Sequence, residues 1–324
     1  MLAKLMIWHF NPKIVAITGS VGKTSAKDEV YAVLRDYRRA RKSKGNLNNE
    51  LGISLAIIGD WGEEKLKIVS REEPAGKRKL GKTIFWIKVF FSGISHLVFL
   101  KKSAYPEVLV LEYAADRPGD IKYLLDIARP DVGIITAIGE VPVHVEFFSG
   151  PEAILREKSK IVEYLPASGF AVLNFDNELA LSVKDRTRGR IITFGFREGA
   201  DVKISNFENR SENGAPFGIS FKLEYGGSFV PVIIRNAFGR AQAYAAAAAT
   251  CVGLIFDLNL VEIAESILKN YQPAKGRMNL VRGVKESYII DDTYNASPIS
   301  MREALDTLAD LPGKRKIAVL GDML

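Results

Sequence analysis

The sequence predicts an α/β protein: a mostly parallel sheet flanked by helices, a small antiparallel flank, and then the beginning of a second α/β unit. Three observations carry this. Continuous apolar runs of strand length, at residues 14–18, 107–113, 131–136 and 170–174, alternate with helix-length segments, as strands buried on both faces do. Alternating apolar and polar residues at 190–196, 201–207, 218–225 and 228–234, separated by Gly and Asn, predict antiparallel strands. After the Pro/Gly joint at 272–278 the pattern restarts, with strand 286–290, helix 299–309 and strand 316–320.

The first strand runs into Gly19-Ser-Val-Gly22-Lys23-Thr24-Ser25, and a helical segment follows. Strand, glycine turn and helix start in this order make a phosphate cradle, because backbone N–H groups of the turn and the helix N-terminus face one anion. Lys23 adds a point charge for the outer phosphates, and the Thr24 hydroxyl can reach Mg²⁺. The sheet is therefore of P-loop type. Ile17 stands where the long form of the motif has its first glycine, so this is a short form.

The bulk numbers set limits. A chain of 324 residues suggests about two domains. One cysteine, Cys251, excludes a disulfide framework and fits a reducing, cytoplasmic compartment. Met1 to Phe10 is apolar but lacks the marks of a signal peptide. The net charge is +7, and seven basic residues with no acidic one lie between Pro74 and Pro106. The rest of the chain is close to neutral, which argues against nucleic acid as a partner.

In chain order, Gly45-Asn46-Leu-Asn48-Asn49-Glu-Leu-Gly52 follows the first helix and a basic stretch. It reads either as a turn and N-cap for the next helix or as a substrate-contact loop. Residues 60–106 form a basic and apolar insertion. Its run at 83–100 is near the minimum for a membrane span, but Lys88, His96 and Ser92-Gly93 argue against spanning. A helix packed on the domain and a helix lying on a membrane surface through residues 77–102 both remain open. Further on, strand ends deliver Glu112 and, after a turn, His144 to the edge where the phosphate loop lies, a placement that suits a metal–phosphate site.

Together these motifs resemble the Mur ligases. The resemblance rests on Thr18 to Ser25, Gly45 to Gly52, Val110-Leu-Glu112, Arg117-Pro-Gly-Asp-Ile121, Glu157-Lys158, Gly276-Arg277-Met278, Asp291-Asp-Thr-Tyr-Asn-Ala-Ser-Pro298 and Val319-Leu-Gly-Asp-Met323, in that order. Asn-Leu-Asn-Asn-Glu and Asp-Asp-Thr-Tyr-Asn-Ala-Ser-Pro point to the branch that joins D-Ala-D-Ala to a UDP-muramoyl tripeptide. The resemblance implies a central ATP-binding domain over 1–276 and the truncated start of a Rossmann-like C-terminal domain over 277–324. It implies an ATP-dependent amide ligase of peptidoglycan precursor synthesis, working through an acyl phosphate.

Residue by residue, it implies that Gly19, Ser20, Val21, Gly22, Lys23, Thr24 and Ser25 hold the phosphates. Asn174, Gln242, Arg277 and Asp292 join them on the nucleotide. Thr24 and Glu112 would hold one Mg²⁺. His144 and a carbamylated Lys158 would hold a second, with Lys23, Lys158 and His144 in the catalytic set; an ordinary solvated helix lysine is the other reading of Lys158. Asn46, Asn48, Asn49, Tyr294 and Asn295 would meet the muramoyl-peptide substrate. Departures from the family pattern are Ala137 after Thr136, and Gly239-Arg-Ala-Gln-Ala-Tyr-Ala245, where both asparagines of the adenine segment are replaced. Only about a dozen residues precede the first strand, so the resemblance implies that the family's N-terminal domain, which grips the UDP end, is lacking from this sequence. Two alternatives stand beside the ligase: a membrane-associated ATP-binding scaffold without ligase activity, and a ligase with a different peptide acceptor.

Overall fold

A computed structural model describes residues 1–44, 47–62, 65–66, 79–139 and 147–323. Its centre is a nine-stranded sheet in the order β2-β3-β1-β4-β5-β6-β7-β8-β9. These strands are β1 (Lys13–Thr18), β2 (Ala40–Lys42), β3 (Val108–Glu112), β4 (Val132–Ile135), β5 (Phe170–Asn174), β6 (Arg190–Gly195), β7 (Val202–Glu212), β8 (Ala215–Tyr225) and β9 (Ser228–Arg235). From β2 to the start of β7 every pairing is parallel; β7, β8 and β9 then form an antiparallel meander.

The helices are α1 (Leu2–Phe10), α2 (Lys23–Leu34), α3 (Glu50–Ile58), α4 (Lys79–Phe99), α5 (Asp120–Ile127), α6 (Pro151–Glu163), α7 (Glu178–Leu181), α8 (Arg240–Ile255), α9 (Leu260–Asn270) and α10 (Pro298–Asp310). Strand alternation sorts them into two layers. Ile14 and Ala16 of β1 face a core that includes residues of α1, α3, α5 and α6. Val15 and Ile17 face the opposite core with α2, α8 and α9. The alanines of α8 let α2 lie close against it, since five of them, Ala245 to Ala249, are buried in a row.

Two expectations need correction. The alternation at 190–196 predicts an antiparallel strand, but β6 is parallel to β5, because α7 and the turn after it carry the chain across before it re-enters the sheet. Residues 316–320 form no strand; Ile317 and Val319 are exposed, and no neighbouring strand among the described residues offers them hydrogen bonds. The segment after the joint is an antiparallel pair, β10 (Asn279–Arg282) with β11 (Tyr288–Asp291), followed by α10. The apolar N-terminus is a helix, α1, whose Phe10 stacks on Tyr105 with centroids 4.1 Å apart.

Strand order sets the site. β1 lies between β3 and β4, with Ile17 beside Glu112 and Thr18 beside Ile135. The chain leaves β1 toward one side of the sheet and later returns to the other. The loop after β1 thus opens at a switch point, where open α/β sheets bind ligands.

Candidate active site

Two glycines shape the loop. Gly22 caps α2 with φ 83°, a conformation that costs a residue with a Cβ. Gly19 has φ 154°, and a Cβ there would sit 2.0 Å from Thr136 Oγ1. The Thr136 hydroxyl in turn donates to the Val21 carbonyl at 2.6 Å, so β4 clamps the loop through one side chain. Ser20 N–H donates to the Ala137 carbonyl at 2.6 Å, and Ser20 Oγ accepts from Gly139 N–H at 3.1 Å.

Cations converge on this loop. Lys23 Nζ donates to the Gly19 carbonyl at 3.0 Å. Lys158 Nζ, arriving from α6, donates to the same carbonyl at 2.6 Å and to Ser20 Oγ at 3.4 Å. Lys158 is 7% exposed. Burial, and then the charge of Lys23, drive its pKa well below that of an ordinary lysine. Burial also lowers the pKa of Lys23, with Glu112 offsetting part of the effect. Lys158 is thus no solvated helix lysine.

Glu112 is the anionic counterpart. It is 2% exposed, yet its carboxylate stays below the usual range. Burial alone would raise it; Lys27 and Lys23, with hydrogen bonds from Asn48 and Thr24, outweigh that. Thr24 Oγ1 donates to Glu112 Oε2 at 3.0 Å, and Asn48 Nδ2 donates to Oε1 at 3.3 Å. Lys27 Nζ lies 3.5 Å from Oε2. A hydroxyl and an ionised carboxylate side by side are hard oxygen donors of the kind Mg²⁺ takes. Among the described residues no group of three His, Cys, Asp or Glu gathers.

Two of the three asparagines of the Asn-rich segment have described partners within the protein. Asn49 is the N-cap of α3, its Oδ1 accepting from Gly52 N–H at 3.0 Å. Asn48 turns to Glu112. Asn46 and His144 lie outside the described residues.

The joint supplies the remaining groups. A cavity of about 240 Å³ is lined by Lys23, Glu112, Asn48 and Lys158 on one side and by Arg277, Asp292 and Tyr294 on the other. Arg277 stacks over the Tyr294 ring at 4.1 Å. Asp292 accepts from Met278 N–H at 3.1 Å, and burial pushes its pKa up to about 6. Asn295 folds its Oδ1 onto Ala296 N–H at 2.9 Å. Gln242 uses both ends of its amide at this joint: Oε1 accepts from Tyr271 Oη at 2.6 Å and Nε2 donates to the Arg277 carbonyl at 3.2 Å. It lines the same cavity as Lys23 and Glu112. Asn174 lines a separate cavity of about 140 Å³ behind the loop, with Thr136, Phe194 and Tyr244. A larger space of about 1040 Å³ extends from Ser20 and Val21 past Asp176, Arg240 and Tyr244 to Glu303.

Three further residues of the site are Lys27, Asp116 and Tyr271. Lys27 is the nearest cation to Glu112; one turn on from Thr24 it shares that helix face, which was a usable signal. Asp116 lines the cavity and raises the pKa of both Lys23 and Lys158. Tyr271 holds Gln242 from α9's end, a long-range contact that local pattern does not reveal.

The chain is similar to a group of known ligases. A family model described as the Mur ligase middle domain matches residues 92–253, and one described as the Mur ligase glutamate ligase domain matches residues 276–324. A UDP-N-acetylmuramoyl-tripeptide--D-alanyl-D-alanine ligase of Synechocystis is 30% identical, covering 97% of this chain and 56% of its own length. MurF from Acinetobacter baumannii superposes with a TM-score of 0.72 at 26% identity, over 95% of this chain and 57% of that one. MurF ligase from Thermotoga maritima in complex with ADP gives 0.71 at 27%, over 96% and 60%. The chain thus spans a little over half the length of these relatives. With half of its residues matched by the middle-domain model and the P-loop, Glu112 and Lys158 gathered at one sheet edge, the chain belongs to the Mur ligase family.

Proposed function

We propose that this chain carries the ATP-binding centre of an amide ligase that adds D-Ala-D-Ala to UDP-MurNAc-tripeptide through an acyl phosphate, in the cytoplasm. One observation carries the reading: an ionised, buried Glu112 touches Thr24 and Asn48 in the same cavity as Lys23, Lys158 and Arg277. Transferring a phosphoryl group to a carboxylate brings several negative charges together. A site for it needs converging cations fixed in advance.

In this reading residues 1–276 form the ATP-binding domain and 277–324 the start of a lid. The loop N–H groups of Gly19 to Ser25 and the Lys23 ammonium hold the outer phosphates. Thr24 and Glu112 would hold a Mg²⁺, which when bound neutralises phosphate charge and orients the transferred group. Asn48 fixes the Glu112 carboxylate, and with Asn49, Tyr294 and Asn295 it borders the muramoyl-peptide. Arg277 sits at the joint, so closure of the following segment would bring its guanidinium to the γ-phosphate. Asp292 would accept from the ribose. Asn174 and the cavity behind the loop would take the base.

Lys158 is suited to a carbamate. An amine adds CO₂ only when neutral, and the new N–C bond releases one proton and leaves a carboxylate. The lowered pKa supplies the neutral amine, and Ser20 Oγ lies within reach. The carbamate oxygens would serve a second Mg²⁺, with His144 as a further ligand. We also infer peripheral contact of residues 77–102 with the cytoplasmic face of a membrane, supported by the basic and apolar make-up of that stretch.

The test is phosphate release by the full-length protein, with its lid complete, given ATP, Mg²⁺, UDP-MurNAc-tripeptide and D-Ala-D-Ala. Release in step with amide formation, lost in Lys23→Ala, is the expected result. ATP binding with no release above that control would favour the scaffold reading. Release with a different peptide acceptor would keep the ligase and change its substrate.

A further inference from the structure

The helix α4 is apolar on the side that faces away from the protein. Phe85, Val89 and Gly93 form its inner stripe; a Cβ on Gly93 would meet Leu2 of α1 at 2.3 Å. His96 Nδ1 lies 2.9 Å from the Ile58 carbonyl, and Phe85 meets Trp61 at 5.5 Å, which fixes α4 on α3 and its following loop. The opposite stripe, at three- and four-residue spacing, is Ile84, Ile87, Phe91, Ile94 and Val98, all exposed. A helix on a water-facing surface carries polar residues there instead. The neighbouring helix α1 repeats the arrangement. Ala3, Met6 and Phe10 point inward, while Met1, Leu5 and Trp8 are exposed, Trp8 at 81%.

Charge says what covers this face. Lys4, Lys88, Lys101 and Lys102 are exposed on or beside the two helices, and no acidic residue occurs from 79 to 106. Apolar stripe, interfacial tryptophan and flanking lysines together match an anionic lipid surface. The stripe spacing would also seat a second copy, but pairing two such faces sets lysine against lysine with no carboxylate to answer it. By length and composition α4 could cross a bilayer. Its inner stripe is already committed to α1 and α3, however, and Lys88 sits at mid-helix. At about 1.5 Å per residue it can lie flat for roughly 30 Å.

Resting on the inferred membrane contact of residues 77–102, we propose that α1 and α4 together form one docking face for the surface of an anionic bilayer, with α4 in the interfacial plane. The experiment is co-sedimentation of the full chain with phosphatidylcholine vesicles, with and without phosphatidylglycerol, alongside sedimentation velocity without lipid. Binding is expected only with phosphatidylglycerol, weakened by added salt. The double variant Phe91→Glu/Val98→Glu should lose it, and Leu5→Glu/Trp8→Glu should weaken it at least about tenfold. ATP affinity, measured on the same samples, should stay unchanged in both variants, which reports folding and keeps this test separate from the ligase reading. Loss in the α4 variant with no effect of the α1 variant would overturn the two-helix face and leave the contact of 77–102 standing. Absence of vesicle binding would overturn both. A dimer that either variant dissociates, without vesicle binding, would assign the face to a second copy and overturn the proposal.

Discussion

Lys23 and Lys158 donate to the same acceptor, the carbonyl of Gly19, at 3.0 and 2.6 Å. Two cations on one backbone oxygen repel each other, and burial strengthens the repulsion. The pair is stable when one of them is neutral, and Lys158 is the one held far below its ordinary pKa.

The first prediction concerns that amine. Under ¹³C-labelled bicarbonate the protein should show a carbamate ¹³C resonance, absent in Lys158→Arg. Because the pKa is lowered, the signal should rise and level off at a lower pH than for an exposed lysine. Lys158→Ala should cut ligation by about 10² to 10³, with partial rescue by short carboxylates.

A second prediction concerns Glu112. Glu112→Gln keeps the shape but takes from buried Lys27 its nearest carboxylate, with Asp28 at 3.8 Å still beside it. The expected cost is about 2–3 kcal/mol, less than for a fully broken buried pair. The Glu112 pKa lies below its unfolded value, so its stabilisation is present above about pH 4.5 and is lost as pH falls through the folded pKa. Urea titrations should find the gap between the two proteins closing in acid, and a gap independent of pH would refute the assignment.

A third prediction follows from Asp292. Its pKa of about 6 means that the carboxylate needed to accept from a ribose hydroxyl is half formed at that pH. ATP affinity should rise between about pH 5 and 7, and Asp292→Asn should flatten that step without abolishing binding. Calorimetric titration at several pH values reads this directly.

A fourth prediction concerns stability away from the site. Glu29 is fully buried on α2, its carboxyl oxygens have no hydrogen-bond partner among the described residues, and burial with Asp28 raises its pKa well above the usual value. The folded state therefore holds the proton more tightly than the unfolded chain. Stability should fall as pH rises from about 4.5 toward the folded pKa. Glu29→Gln should leave stability nearly unchanged in acid and raise it at pH 8, by about 1–2 kcal/mol. Thermal melts at both pH values decide it.

The phosphate loop and the parallel strands were legible because both are written locally, in glycines at fixed spacing and in unbroken apolar runs. The strand ends at Glu112 and Asn174 followed from the same runs. The direction of β6 was not legible, because alternation fixes which face is buried and leaves the partner's direction open. Nor was the second duty of Gln242. Its tie to Tyr271 joins α8 to the end of α9 across 29 residues, and its tie to Arg277 spans 35. Of the Asn-rich segment the N-cap was legible, at Asn49; the turn of Asn48 to Glu112 was not, because that contact spans 64 residues.

In the proposed reaction a substrate carboxylate is phosphorylated at the cavity between Lys23, Glu112 and Arg277. The direct measurement uses UDP-MurNAc-tripeptide labelled with ¹⁸O in its terminal carboxylate, turned over with ATP, Mg²⁺ and D-Ala-D-Ala, with the released phosphate read by mass spectrometry. An acyl phosphate hands one carboxylate oxygen to each phosphate, so singly labelled phosphate is the predicted product. Phosphate released without label would rule out the acyl phosphate.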